Sequence, residues 1–142
     1  MFHWLELRAF AHATEDPAKV EQALRTVGGD AEMHAEAAEG HFGTPLLIQV
    51  IRVARAAEVA AAWARTALPS NAREWRRRLD ARVDEDGVFH ARLGKQEAFE
   101  GSVVPARDED VIDLTTKVKV FPAKREAALA ILQEELDRRA AD

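Results

Sequence analysis

The chain has 142 residues, 47% of them hydrophobic and 32% charged, a balance that predicts one folded domain over residues 1–142 and excludes a disordered chain. It contains no cysteine, which excludes disulfides and thiolate metal sites. Lys and Arg number 20 against 25 Asp and Glu, and the formal net charge of -5 requires any nucleic-acid site to be a local basic patch.

The segment from Phe2 to Ala13 alternates with a period of two residues, which predicts a β-strand. One side of it is apolar, with Leu5, Leu7, Ala9 and Ala11, and the other side carries Trp4, Glu6, Arg8, Phe10 and His12. Because charged residues interrupt this segment, it does not resemble a cleavable signal sequence. We therefore expect a cytoplasmic protein that makes no use of a membrane.

A helix and a second strand follow. Asp16 is a suitable N-cap before Pro17 at the first helical position, and Gly28-Gly29 is a stop signal. The segment from Glu32 to Glu39 predicts a strand, and its inward side would carry Met33, Ala35 and Ala37. A turn from Gly40 to Pro45 ends this part of the chain.

The middle of the chain combines an apolar strand with two helices. The segment from Leu46 to Ala54 is nearly continuous in apolar and β-branched residues, which predicts a strand at the centre of the sheet with both faces covered. A helix is expected from Ala56 to Leu68, and Pro69 separates it from the next. That second helix would begin with Ser70 as its N-cap and end near Leu79.

A hairpin is the clearest signal in the second half of the chain. Asp86-Gly87 is the dipeptide that favours a tight type I′ turn. The strand after it alternates Phe89, Ala91 and Leu93 with Val88, His90 and Arg92. A short helical turn is expected from Lys95 to Glu100, between two glycines, and a strand from Ser102 to Ala106.

The last strand is expected from Val111 to Phe121, and a closing helix from Ala123 to Arg139. Hairpins and short turns favour antiparallel pairing, so the fold class is α+β: a single two-layer α/β sandwich, with a largely antiparallel sheet and helices on one face. The other face would then present Trp4, Arg8, Phe10, His12, His34, His90, Arg92, Lys117 and Lys119.

Nothing in the sequence predicts an enzyme, a metal or another cofactor. The histidines show neither HxH nor HExxH spacing, and there is no phosphate-binding GxxxxGK or GxGxxG loop. The two serines, Ser70 and Ser102, are explained as a helix cap and a strand-edge residue. The acidic runs at 84–86 and 108–110 lie where turns are expected, as surface acids usually do.

A face that mixes basic and aromatic side chains suits single-stranded RNA, whose bases stack on aromatic rings or guanidinium planes while Lys and Arg meet the phosphates. The same face would also suit a homodimer interface or a solvated sheet. The arginine-rich run from Arg73 to Arg82 is typical of a solvated helix face, or of a helix that docks on a partner protein.

Four segments resemble one known family. They are LELRAFAHATED at residues 5–16, EGHFGTP at 39–45, RVDEDG at 82–87 and KQEAFEG at 95–101. In this order they resemble an archaeal family of small proteins described as predicted RNA-binding proteins or predicted exosome subunits. The resemblance implies a fold similar to that of the ribosomal protein that binds 5S RNA, an archaeal cytoplasmic setting and a role in RNA processing or degradation. Gly94 departs from the acidic residue expected before Lys95-Gln96.

The resulting hypothesis is a non-enzymatic RNA-binding protein, an accessory of an RNA-processing or exosome-type complex. Its expected RNA-binding residues are Arg8, His12, Arg92, Lys95, Gln96, Lys117 and Lys119. The first alternative is a protein-interaction module or homodimer that uses the face of Trp4 and Phe10 or the helix of Arg73 to Arg82. The second alternative is an enzyme that acts on a small phosphorylated ligand held by Lys95 and nearby arginines.

Overall fold

A computed structural model describes residues 1–122 and 124–142, with only the backbone of His41. Within these residues the chain forms five strands and five α-helices. They are β1 (Phe2–His12), α1 (Pro17–Gly28), β2 (Met33–Glu39), β3 (Pro45–Val53), α2 (Ala56–Thr66), α3 (Pro69–Arg77), β4 (Val88–Gly94), α4 (Lys95–Phe99), β5 (Val111–Val118) and α5 (Arg125–Ala140). Short 3-10 turns occupy His41–Gly43 and Leu79–Ala81.

The strands form one sheet in the order β2-β3-β1-β5-β4, and every neighbouring pair is antiparallel. This confirms the predicted antiparallel two-layer α+β fold. The central strand is β1, so the expectation that Leu46 to Ala54 forms the centre of the sheet was wrong. Leu46 and Ile48 are only half-buried. The expectation that both faces of this strand are covered was wrong as well, because Leu46 and Ile48 lie on the side of the sheet that the helices do not cover.

The core lies between one face of the sheet and the helices. From β1 it receives Leu5, Leu7, Ala9 and Ala11, as the alternation predicted. Trp63 of α2 and Trp75 of α3 contact Phe89 of β4 edge-on, with ring centroids 5.7 and 5.8 Å apart. Large aromatic side chains dominate the free energy of burial, and this edge-on geometry adds to it. The rings therefore hold the two helices against the β4 half of the sheet.

Helix α1 begins and ends where its capping residues predict. The Asp16 carboxylate accepts a hydrogen bond from the backbone N–H of Ala18 at 3.0 Å, and Pro17 takes the first helical position. Helix α3 also begins with a proline, Pro69, and its N-cap is Leu68. The expectation that Ser70 is an N-cap was therefore wrong, because the proline already starts the helix one residue earlier.

The β4 hairpin has a different turn from the one expected. Gly87 has a φ of 76°, but among the described residues other than glycine only Phe42 has a positive φ. A type I′ turn needs positive φ at both central residues, so that prediction was wrong. The backbone N–H of Gly87 donates to the carbonyl oxygen of Asp84 at 3.1 Å, and the N–H of Asp84 donates to Val88 at 3.0 Å. This is a three-residue loop with a left-handed glycine.

Several other boundaries differ from the sequence-based expectations. In β2, Met33 is half-buried, but Ala35 and Ala37 are exposed, because β2 is the outermost strand and the helices do not cover it. The segment from Ser102 to Ala106 forms one isolated bridge, Leu93 to Pro105, rather than a strand. Ala123, the expected start of the last helix, lies outside the described residues. None of the helices described here is long and apolar enough to span a membrane.

Candidate nucleic-acid interface

The sheet face opposite the helices carries polar and aromatic side chains from all five strands. The alternation of β1 directs Arg8, Phe10 and His12 to this open face, and all three are exposed. The strand register places one row across the middle of the face: His34, Val50, Arg8, Asp113 and Arg92. Two of the residues expected to bind RNA, Arg8 and Arg92, are therefore brought to either side of one carboxylate.

The contacts that Arg8 and Arg92 make on the open face are loose. The Arg92 Nε atom lies 3.6 Å from the Asp113 Oδ1 atom, with 74% and 45% of these side chains exposed. The Arg8 guanidinium carbon lies 5.4 Å from the ring centre of Phe10, which is 37% exposed. Exposed ion pairs contribute little to stability, because water screens both charges. These guanidinium groups therefore remain available to an incoming anion.

One end of the open face is formed by Trp4, Arg52 and Lys117. The Arg52 guanidinium carbon lies 4.5 Å from the ring centre of Trp4, and its Nη1 atom lies 3.9 Å from Glu6. Lys117 is opposite Trp4 in the register and donates from Nζ to the backbone oxygen of Asp86 at 3.1 Å. Lys119 is exposed just beyond the end of β5. This end combines stacking surfaces with positive charge.

The other end contains His12 and α4. His12 is exposed, and Gln96 is exposed with its amide bonded to the Glu100 carboxylate at 3.1 Å. Lys95 is only 5% exposed. Its Nζ atom donates to the carbonyl oxygen of Phe10 at 2.9 Å and lies 2.9 Å from Glu15 and 2.7 Å from Asp110. The ammonium group thus joins β1, α4 and the loop before β5 from beneath the surface.

The Glu15 carboxylate shows the effect of this arrangement. Burial raises the pKa of Glu15. The hydrogen bond and charge of Lys95, together with the hydrogen bond from the backbone N–H of His12, lower the pKa by more than burial raises it, so the pKa lies below the usual value. Lys95 therefore keeps a negative partner over the whole neutral range.

A groove of about 1120 Å³ lies along the outer edge of β4 and is continuous with the open face. We call it the β4 groove. One wall is the end of α3 and the following 3-10 turn, and the other is the loop around Arg107. Six arginines line it: Arg8, Arg77, Arg78, Arg82, Arg92 and Arg107. Five carboxylates line it as well: Glu6, Glu74, Asp108, Glu109 and Asp113.

Four of these arginines, Arg77, Arg78, Arg82 and Arg107, are not among the residues that sequence reasoning selected for RNA contact. The first three were visible only as part of a basic helical run. The Nε atom of Arg82 is buried and has no hydrogen-bond partner among the residues described. Burial lowers the pKa of Arg82, Glu74 opposes this effect, and the positive charge of Arg78 adds to it.

In the part of the chain that the structure describes, no three His, Asp or Glu side chains converge in a way that could hold a metal ion. The nearest approach of a histidine to a carboxylate on the open face is His90 Nε2 to Asp84 Oδ2, at 2.9 Å. Burial raises the pKa of Asp84, but the hydrogen bonds from His90, Val88 and Asp86 lower it below the usual value. This pair links the residue that begins the hairpin loop to β4.

Comparison with known proteins supports a relation to RNA. A family model described as RNA binding matches residues 4–118. The chain is 35% identical over 144 aligned residues to the RNA-binding protein PAB1135 of Pyrococcus abyssi, and the alignment covers 95% of this chain and 94% of that protein. The resemblance to archaeal proteins described as RNA-binding is therefore confirmed at the level of the family.

Solved structures show the same fold. Mth689, a DUF54 protein from Methanothermobacter thermautotrophicus, superposes with a TM-score of 0.81 at 34% identity, covering 96% of this chain and 98% of that one. AF2318 from Archaeoglobus fulgidus, also DUF54, gives a TM-score of 0.85 at 29% identity over 96% and 99%. The exosome role and the likeness to the 5S RNA-binding ribosomal protein stay predictions. The model match and the near-complete alignment show that the chain belongs to the RNA-binding family.

Proposed function

We propose that this protein binds RNA through the open face of its sheet and that it is a binding protein rather than an enzyme that cleaves RNA. One observation carries this proposal: guanidinium groups lie beside aromatic rings at two places on an uncovered sheet, Arg8 with Phe10 and Arg52 with Trp4. Membership of a family described as RNA binding, and the name of the Pyrococcus abyssi relative, point to the same ligand.

Bases would stack on the ring of Phe10 and on the guanidinium planes of Arg8 and Arg52. Stacking of a base on such a platform contributes about 1 to 3 kcal/mol per base and tolerates any sequence, because every base has a π-face. Trp4 is already covered by Arg52, so an arriving base would meet the guanidinium plane first. This geometry favours binding with little sequence preference.

Phosphates would be met by the charged groups around these platforms. Arg92, Lys117 and Lys119 flank the stacking surfaces from the β4 and β5 side. The carboxylates of Asp113 and Glu6 lie at 3.6 and 3.9 Å from their arginines, distances too long for a tight pair. They orient the guanidinium groups in the free protein, and a phosphate would replace them.

The α4 end of the open face would extend the RNA-binding surface. His12 and Gln96 are exposed and would contact RNA that continues past Phe10. Lys95 is buried with two carboxylates, so we assign it an indirect role: it fixes the end of β1, and thereby the position of Phe10 and His12. We further propose that the protein assists an RNA-processing or exosome-type complex as an accessory, since its open face supplies binding without an evident reactive group.

The test is RNA binding by an Arg8→Ala/Arg92→Ala variant, measured by fluorescence anisotropy with mixed RNAs between about 50 and 200 mM salt. We expect affinity to fall at least tenfold, which corresponds to about 1.4 kcal/mol, and the salt dependence to weaken. An Arg55→Ala/Arg73→Ala variant removes the same charge from residues that contact the helices instead, since Arg55 lies 3.4 Å from Glu58 and Arg73 donates to the carbonyl oxygen of Ala140, and it should bind like the wild type. Equal affinities of the two variants would contradict the proposed site.

A protein-interaction role has one observation in its favour. Beside Phe10, the open face carries Leu46, Ile48 and Val50 of β3, all half-buried. An apolar strip of this kind also suits a second copy of the chain or another protein. Sedimentation of the purified protein distinguishes the two roles: self-association that persists at high salt, with no RNA binding at low salt, would favour this alternative.

A further inference from the structure

We propose that the β4 groove binds the phosphate backbone of a single RNA strand, with the arginines of α3 and of the loop at Arg107 as its two walls. This inference rests on the proposed RNA-binding function and extends it by naming the form of RNA and a second contact surface. Bases of the same strand would reach the open face at Arg8 and Phe10, which borders the groove.

The first argument is that several arginines in the groove are unpaired. Within residues 1–122 and 124–142, the guanidinium groups of Arg77, Arg78, Arg82 and Arg107 have no carboxylate within the ion-pair distance of 4.0 Å, although five carboxylates line the same groove. Elsewhere, Arg25, Arg76 and Arg139 lie 2.9, 3.0 and 2.6 Å from a carboxylate oxygen, and Arg65, Arg73 and Arg125 donate to backbone carbonyl oxygens. In a chain with a net charge of -5, unpaired guanidinium groups concentrated in one groove indicate an external anion.

The second argument is the state of Arg82. Its Nε–H is buried without an acceptor among the described atoms, and an unsatisfied buried donor is costly. Partial burial lowers the pKa of Arg82, the negative charge of Glu74 opposes this and the like charge of Arg78 adds to it, so the pKa lies below its usual value and the environment disfavours the charge. A phosphate bound beside Arg78 and Arg82 would offset the like charges of these two side chains, because guanidinium and phosphate form paired, charge-assisted hydrogen bonds.

The third argument is that the walls of the groove are fixed by backbone bonds. On one side, the N–H of His90 donates to the carbonyl oxygen of Arg82 at 2.8 Å. On the other, the N–H of Ala106 donates to the carbonyl oxygen of Arg92 at 2.9 Å. These bonds attach both flanking segments to the edge of β4, so the groove between them exists before any ligand arrives. A preformed site binds without the cost of ordering loops.

The shape and charge of the groove select a single strand. A double-stranded RNA helix keeps its bases stacked inside and presents two backbones on a wide, stiff rod, which would rest on the rims of a walled groove. A single strand can place one row of phosphates on the arginine wall and turn its bases outward to the open face. The carboxylates among the arginines, including Glu74 and Asp108, would repel any phosphate that no guanidinium meets.

The experiment compares a short single-stranded RNA with a duplex of the same sequence, using an Arg77→Ala/Arg78→Ala variant. Both side chains are exposed, so the variant should fold, which its circular dichroism spectrum checks. We expect wild-type protein to prefer the single strand, and the variant to bind it at least fivefold more weakly. The slope of log affinity against log salt should fall by about 1.4, since each lost phosphate contact on a single strand accounts for about 0.7.

Two further variants sharpen the result. Arg77→Lys/Arg78→Lys keeps both charges but loses the paired geometry of guanidinium, so it should retain the salt slope and bind less tightly. Arg107→Ala, on the opposite wall, should also weaken binding. Wild-type affinity of Arg77→Ala/Arg78→Ala, with loss of binding in Phe10→Ala/Arg52→Ala, would overturn the groove and leave the open-face function intact, because Phe10 and Arg52 lie on the open face and do not line the groove. Tighter binding of the duplex would overturn the single-strand assignment, and a wild-type protein that binds no RNA would overturn both.

Discussion

At the scale of single residues, Lys95 shows how a residue selected for surface contact can serve the structure instead. Its Nζ atom contacts Glu15 and Asp110, whose side chains are 30% and 47% exposed. We predict that Lys95→Met lowers the free energy of unfolding by about 1 to 3 kcal/mol, less than for a fully buried pair, because water still reaches both carboxylates. Urea unfolding at pH 7 measures this change, with the exposed Lys19→Met as its control.

The same variant has a predicted pH dependence. The pKa of Glu15 is lowered in the folded protein, so its contribution to stability is present above the pKa of a free glutamate, about 4.3, and is lost as the pH falls through the lower folded value. The difference between wild type and Lys95→Met should therefore shrink as the pH falls below about 4.3. A difference that stays constant from pH 7 to pH 3 would show that Glu15 is not the partner that matters.

At the scale of elements, the β4 hairpin depends on one glycine. Gly87 has a φ of 76°, a left-handed conformation that costs a residue with a Cβ atom about 1 to 2 kcal/mol. We predict that Gly87→Ala lowers stability by at least this amount, since its Cβ atom would also lie 3.3 Å from the Ala128 Cβ atom, and that Gly87→Asn recovers the backbone part of the loss, because asparagine tolerates the left-handed region. Thermal unfolding of the two variants compares them directly. Equal losses would mean that the added side chain, rather than the backbone, limits the turn.

Local sequence patterns predicted where the strands and helices lie better than they predicted which side of each element is covered. The cap at Asp16 and Pro17, the alternation of β1 and the existence of the hairpin all depend on neighbours along the chain, and all are confirmed. Which side of β2 is covered depends on how far the helices extend over the sheet. Ala35 and Ala37 are exposed for that reason, although their spacing is that of an inward face. The alternation of a strand defines two faces, but it does not show which one is buried.

At the scale of the whole molecule, α5 completes the core from the far end of the chain. Leu132 and Leu136 are fully buried, and the Glu135 carboxylate accepts a hydrogen bond from the indole N–H of Trp63 at 2.7 Å. The family match ends at residue 118, before this helix. We predict that a chain ending at residue 122 does not fold cooperatively, because the core would lose Leu132 and Leu136 and Trp63 would lose its buried polar partner.

Near-ultraviolet circular dichroism, which reports the packing of the tryptophans, tests this prediction. In the full chain, Leu132→Ala should keep the native spectrum and lose about 2 to 5 kcal/mol of stability, the usual range for such a truncation in a core. A native spectrum from the shortened chain would show that residues 1–122 form a complete core and that α5 only covers it.

The sequence by itself determined the fold class, the main strands and helices, and a basic, aromatic sheet face, because periodicity and capping act over a few neighbouring residues. Only the tertiary structure decided that β1 is central, that Lys95 is buried and that Arg77, Arg78, Arg82 and Arg107 line one groove. Lys95 bonds to partners 80 and 85 positions away. Such contacts depend on which elements meet in space, and no local pattern in the chain specifies that.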